Sequence, residues 1–298
     1  MAEQSLARLD FVEAPALDVA ESLERAGQRS LVYVGQKGAV VSPSKVRVGV
    51  AIAGTFFASS VLASAWLFAA AFGWPGLVGA GVFGALFGRQ LIVPVKLRRV
   101  AALMMAEKYD EADALAQRIQ ESWPVNRVTR REALHARVQV ASLRGNLRRA
   151  QRLQARAESL YRYAHERRTV QYRIHRYGCV ITHANLGELT QAKARFLEAG
   201  DEPEGDYLQL LHWTCELMIG FCEGRCELDE DALHLRGRRG LEVVPGTPLL
   251  ALAAWGFMQS GDEDMGAHLL SVVAERWEPR MARALPRFAP WVRARVGV

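Results

Sequence analysis

The pattern of apolar and polar positions changes character twice along this chain. Up to residue 46 it is mixed. Leu17, Ala20 and Leu23 have helical spacing in the stretch from Ala16 to Ala26, which ends at Gly27 and predicts a short helix. Leu31 to Val34 and Ala39 to Val41 flank Gly35-Gln36-Lys37-Gly38, the pattern of a small β-hairpin. From residue 48 the polar positions thin out, and the 41 residues between Arg47 and Arg89 contain no charge. Beyond residue 97 the helical period returns, with Leu134, Val138 and Ala141 in one stretch and Leu153, Ala157 and Leu160 in the next.

The uncharged stretch reads as a membrane hairpin. Val48 to Phe72 is 25 residues. As a helix it spans about 37 Å, against a hydrocarbon core of about 30 Å. Gly73-Trp74-Pro75-Gly76 predicts a break, because proline lacks an N–H and glycine permits a turn. Leu77 to Val95 supplies a second span of 19 residues. Lys45 and Arg47 precede the first span, and Arg89, Lys96, Arg98 and Arg99 lie at the end of the second. The positive-inside bias then places both termini in the cytoplasm, in a two-span protein of the cell inner membrane with the bilayer as a partner. Gly84 and Gly88 form a small-residue step that lets helix backbones approach, within the hairpin or between two copies.

After the uncharged stretch a turn pattern recurs: Glu107-Lys108-Tyr109-Asp110-Glu111-Ala112, Gly145-Asn146-Leu147-Arg148-Arg149-Ala150, Leu186 to Ala192, Gly224 to Ala232, and Gly261 to Ala267. The closing alanines are 38, 42, 40 and 35 residues apart. Periods of this length belong to stacked helical hairpins, none of which buries its apolar face alone. Pro124 and Pro279 each follow a turn alanine by 12 residues, and Ala157, Ala199 and Ala274 follow theirs by seven. With Tyr109 in the aromatic position, residues 97–279 resemble the tetratricopeptide repeat (TPR) family. The first helix of each unit departs from the family pattern, and Arg239 stands where the fourth unit should hold its second alanine. The resemblance implies a partner-binding scaffold. Its concave face, made by the first helix of each unit, would bind through Arg130, Arg137, Arg173, Arg176, Trp213 and Glu216.

The net charge of +6 conceals strong segregation. Residues 127–176 hold 14 Arg against Glu132, Glu158 and Glu166, whereas residues 198–231 hold 11 acids against Arg225 alone. In the basic segment Arg148, Arg149, Arg152, Arg156, Arg167 and Arg168 form a candidate patch, with Tyr161, Tyr163, Tyr172 and Tyr177 interleaved. Such a patch suits anionic lipid, an acidic protein surface or nucleic acid. The first reading is a solvated or internally paired face, followed by contact with an acidic protein surface; lipid is the natural choice over nucleic acid beside a bilayer, and nucleic acid is not expected as a partner. Cys179, Cys215, Cys222 and Cys226 lack framework spacing and read as reduced thiols. His212 and Cys215 share a helix face, but Cys222 is about 10 Å further along the axis, too far for one zinc ion. No phosphate-cradling loop, nucleophile elbow or zinc-protease motif occurs, so neither a catalytic residue nor a cofactor is expected.

The sequence therefore predicts an all-α chain in four segments. Residues 1–46 form a small N-terminal α+β piece and 47–96 a two-helix transmembrane hairpin. Residues 97–279 form a TPR-like α-solenoid of about five helical hairpins, and 280–298 a capping helix. The expected role is a membrane-anchored adaptor that recruits protein partners to the cytosolic face. The alternative is a membrane-tethered regulator that binds a nucleic-acid-binding factor, nucleic acid or anionic lipid through residues 127–176.

Overall fold

The computed structural model describes residues 96–297 apart from 123–125 and 243–245, with positions 33–34, 40–41 and isolated positions between 52 and 93. The described chain is all-α. Its helices are α1 (96–105), α2 (Tyr109–Glu121), α3 (Arg127–Leu143), α4 (Leu147–Glu158), α5 (Val170–Leu186), α6 (Leu189–Ala199), α7 (Asp206–Glu223), α8 (Glu230–Glu242), α9 (Thr247–Ser260), α10 (Glu263–Arg276), α11 (Pro279–Ala284) and α12 (Ala289–Val296). A 3-10 turn covers Glu166–Arg168. Tyr33–Val34 and Val40–Val41 pair as two strands of two residues each, too short to make a β layer.

Each recurring turn separates two helices. Gly145, Gly187, Gly224 and Gly261 end α3, α5, α7 and α9 with φ of 76°, 78°, 75° and 93°, a left-handed conformation that costs glycine little. Polar side chains start the next helix where they can. Asn146 accepts the Arg149 N–H at 3.1 Å, and Asp262 accepts the Met265 N–H at 3.0 Å. The first turn lacks a glycine, and Glu107 takes the left-handed conformation with φ 56°.

The chain divides into two compact units, one of Val41–Arg137 and one of Met1–Val40 with Val138–Val298. In the smaller unit Val100, Met104, Ala112, Ala116, Ile119, Ala133 and Leu134 are buried. In the larger unit α5 to α10 share one apolar core, with Leu217, Met218, Leu233, Leu249, Leu250 and Phe257 among its largest fully buried side chains.

The expected small residue behind each turn holds in part. Ala112, Ala150 and Ala192 are fully buried. Ala232 is half-buried, and the adjacent Leu233 fills the gap instead. Ala267 is exposed, and the close approach falls on Gly266. A Cβ there would stand 2.6 Å from Met258 Cγ and 3.0 Å from the Ala254 carbonyl oxygen.

The C-terminal segment reaches past the last helix pair. Phe288 is fully buried between Phe221 (ring centroids 4.7 Å apart), Trp277 (6.4 Å) and Trp291 (5.4 Å). Arg283 Nε donates to the Leu143 carbonyl at 2.9 Å, and the Arg287 N–H donates to Asn185 Oδ1 at 3.2 Å. The segment therefore ties the ends of α3, α5 and α7 to the last pair, beyond the simple cap that the sequence pattern suggests.

The expected location in the cell inner membrane, with two spans, is corrected. Among the described residues no helix is long and apolar enough to cross a membrane. Most of 48–72 and 77–95, including Gly84 and Gly88, lies outside the described residues, as does the helix expected over 16–26. The length and lack of charge of the stretch suggested the spans, and neither distinguishes lipid from a protein neighbour as the surrounding medium. The few described positions between 52 and 78 are helical and exposed, among them Ile52, Trp66, Leu67 and Val78. Pro75 is helical where the pattern expected a break, a state proline adopts where no N–H is required.

Two stability changes follow. Phe288→Ala should cost about 3–5 kcal/mol, as for other buried aromatics, seen as a lower urea midpoint for the far-UV helix signal. Gly266→Ala should cost about 1–3 kcal/mol through overpacking, whereas the exposed Ala267→Lys should stay within about 0.5 kcal/mol.

Candidate partner-binding surface

Phe196 and Leu197 are consecutive on α6, so a helix cannot turn both into the core. Phe196 packs on His212 with ring centroids 4.7 Å apart, and Leu197 is left 80% exposed. Beside them α6, α7 and the turn after α7 enclose an open trough of about 330 Å³. Its apolar lining includes Phe196, Leu197, Leu217, Ile219, Leu228 and Trp255. Gly220 is required because a Cβ there would stand 2.8 Å from the Arg225 carbonyl oxygen. The trough's charged residues are all paired. Lys193 bonds Glu223, Arg225 pairs with Glu227 at 3.0 Å and Glu223 at 3.7 Å, and Glu216 accepts from Arg236 at 2.7 Å. The hydrogen bond from Lys193 holds the Glu223 carboxyl below its ordinary value, although burial opposes it. Paired charges around an apolar floor leave little net field, so the trough suits an apolar side of a ligand.

The residues expected to form a concave binding face have diverse placements. Arg130 is exposed on α3. Arg137 is buried and donates to Asp113 Oδ1 and Gln120 Oε1, each at 2.9 Å, which ties α3 to α2. Arg173 is half-buried and lies beside Gly200 at the end of α6. Arg176 is buried, pairs with Glu158 at 3.0 Å and Glu198 at 2.8 Å, and sits over the Tyr172 ring at 4.8 Å. Arg195 joins the same two acids at 3.2 Å and 3.0 Å, so four charges bind α4, α5 and α6 together. Trp213 is buried with Arg236 stacked on it at 5.2 Å, and Arg236 also holds Glu216. Arg137, Arg176 and Trp213 thus present almost no surface, and Glu216 alone of the six lines the trough. The helical spacing places these residues on the first helices but does not reveal which of them a neighbouring helix covers.

The basic patch is more open. Arg148, Arg152, Arg156, Arg167 and Arg168 are exposed and Arg149 is half-buried. Arg148 pairs with Glu188, whose carboxyl also accepts from Gln151 at 2.7 Å and lies 2.7 Å from His183 Nδ1. Burial would raise the Glu188 carboxyl, but these hydrogen bonds outweigh it and hold it below its usual value.

Sequence spacing missed Lys193, Leu197, Arg225 and Trp255 in the trough. The adjacent Phe196-Leu197 pair was the one local signal, since two large neighbours on a half-buried helix force one outward. Among the described residues no group of three or more His, Cys, Asp or Glu is placed to hold a metal ion. Cys179 and Cys215 are buried, and burial pushes the Cys179 thiol up to about 12 and Cys215 well above its ordinary value. Cys222 and Cys226 are half-buried.

Arg176→Ala should cost about 2–3 kcal/mol in urea unfolding, less than a fully buried pair would, because Glu158 and Glu198 retain 28% and 48% exposure. Maleimide at mildly alkaline pH should modify Cys222 and Cys226 in the native protein, with Cys179 and Cys215 reacting only on unfolding; peptide mapping checks this order.

Comparison with known proteins finds no family model, no curated protein and no solved structure that matches this chain.

Proposed function

We propose that this chain is a protein-binding scaffold, a TPR-like array of helix pairs whose trough between α6, α7 and the following turn takes the apolar face of a partner's amphipathic helix. One observation carries the reading: a large aliphatic side chain, Leu197, stands 80% exposed at the edge of an open apolar trough. Isolated exposed leucines are ordinary, but one adjoining a concave apolar floor marks an interaction site. An amphipathic helix offers apolar residues at i, i+3, i+4 and i+7, which suits a groove of this kind. Recurring helix–turn–helix pairs, with left-handed glycines at four of the five turns, support the repeat reading. Repeat domains present concave surfaces to partners as a consequence of stacking.

A photo-crosslinking residue at position 197 should capture a protein partner in cells. Leu197→Glu should then lower affinity for that captured partner about tenfold or more, as expected for loss of a central apolar anchor, with the thermal midpoint unchanged. Full affinity in the Leu197→Glu protein would remove the trough from consideration.

A further inference from the structure

The two halves of the charge segregation have different fates in the fold. Six of the 11 acids in the acidic segment pair with a basic side chain among the described residues. Glu198 pairs with Arg176 and Arg195, Asp206 with Arg239 at 3.4 Å, Glu216 with Arg236, Glu223 with Lys193, Glu227 with Arg225, and Glu230 with His234 at 3.4 Å. Of these pairs only Glu198–Arg176 reaches the basic segment. Arg152, Arg156, Arg162 and Arg168 are exposed and have no ion pair with a carboxylate among the described residues.

These four side chains stand on a firm base. The inner face of α4 is buried through Leu147, Ala150, Leu153 and Ala157, which directs Arg152 and Arg156 outward. Their four-residue spacing sets them about 6 Å apart along the axis. The loop from 159 to 169 is pinned rather than loose. Tyr161 is buried against Tyr172, ring centroids 4.8 Å apart, and its carbonyl accepts from Arg167 Nε at 3.3 Å. The buried Glu166 carboxylate accepts the Tyr163 N–H at 3.0 Å. This holds Tyr163, 55% exposed, with its ring nearly parallel to His165 at 5.6 Å.

We propose that this face of α4 and the following loop binds single-stranded nucleic acid, with phosphates on Arg152, Arg156, Arg162 and Arg168 and a base stacked on the Tyr163–His165 pair. Guanidinium forks match phosphate oxygens in geometry and charge. A fixed, exposed aromatic ring on the loop that carries Arg162 and Arg168 is what unpaired bases use and what a carboxylate-rich peptide has no need of. The surface is built from other residues than the trough, so the two readings stand or fall separately.

The test is fluorescence anisotropy of the full-length chain with labelled oligothymidine and oligouridine of about 20 nucleotides, between about 50 and 200 mM salt. Binding is expected, with log K falling against log salt at a slope of about −3, since four phosphates each contribute about −0.7 on a single strand. Changing all four arginines to Glu should weaken binding at least about 100-fold. Tyr163→Ala should weaken it about tenfold while Tyr163→Phe keeps it, separating stacking from charge. Leu197→Glu should leave it unaltered. Circular dichroism confirms the fold of each variant. No binding at the lowest salt would overturn the proposal. So would Tyr163→Ala binding at full strength while polyglutamate or anionic vesicles compete as well as the oligonucleotide.

Discussion

The larger unit depends on a clasp formed by its last residues. A pair of helices has two broad faces and covers only one of them, so a stack needs something at its ends and along its turns. Here the chain supplies that cover from 280–297. Phe288 fills an aromatic pocket between α7 and the last pair, while Arg283 and the Arg287 backbone bond groups at the ends of α3 and α5. Leu143 and Arg283 are 140 residues apart, so this contact closes the unit over almost its whole length. A strictly one-dimensional array would fray pair by pair. A clasped one gains cooperativity between its first and last pairs.

Electrostatics provides a second level of order. An Arg-rich helix beside an acid-rich one would repel within itself and attract across the gap. Arg176 and Arg195 against Glu158 and Glu198 put that attraction to use where α4, α5 and α6 meet. Arg236 does the same at α7, spanning the Trp213 ring and Glu216. Arg152, Arg156, Arg162 and Arg168, exposed and without a carboxylate partner among the described residues, lie on α4 and its following loop. The apolar trough, by contrast, carries matched charges. The trough and the exposed arginines of α4 thus differ in chemistry, the first with its charges matched and the second without carboxylate partners among the described residues.

How much of this was legible in the sequence depends on the range of each signal. Helix content and turn positions were legible, because glycines, caps and the 3.6 period act over fewer than ten residues. Ala112, Ala150 and Ala192 were identified as close-packing positions for the same reason. Ala267 carried the same expectation and is exposed instead, because whether position 266 or 267 faces α9 depends on a rotation of about 100° per residue that sequence period alone does not fix. The expected membrane spans rested on the length and lack of charge of one stretch, which record dislike of water and nothing about what replaces it. The expected binding residues shared a helix face in projection, yet Arg137, Arg176 and Trp213 are covered by neighbouring helices.

The sequence by itself determined that the chain is helical, that it turns at Gly145, Gly187, Gly224 and Gly261, and that its charge is segregated, since all three are properties of short stretches of residues. Only the tertiary structure decided which charges cancel, that Leu197 stays exposed while Phe196 does not, and that residues near the C-terminus hold the ends of helices more than one hundred positions earlier. Those outcomes depend on which surfaces meet in space, and sequence separation carries almost no information about that.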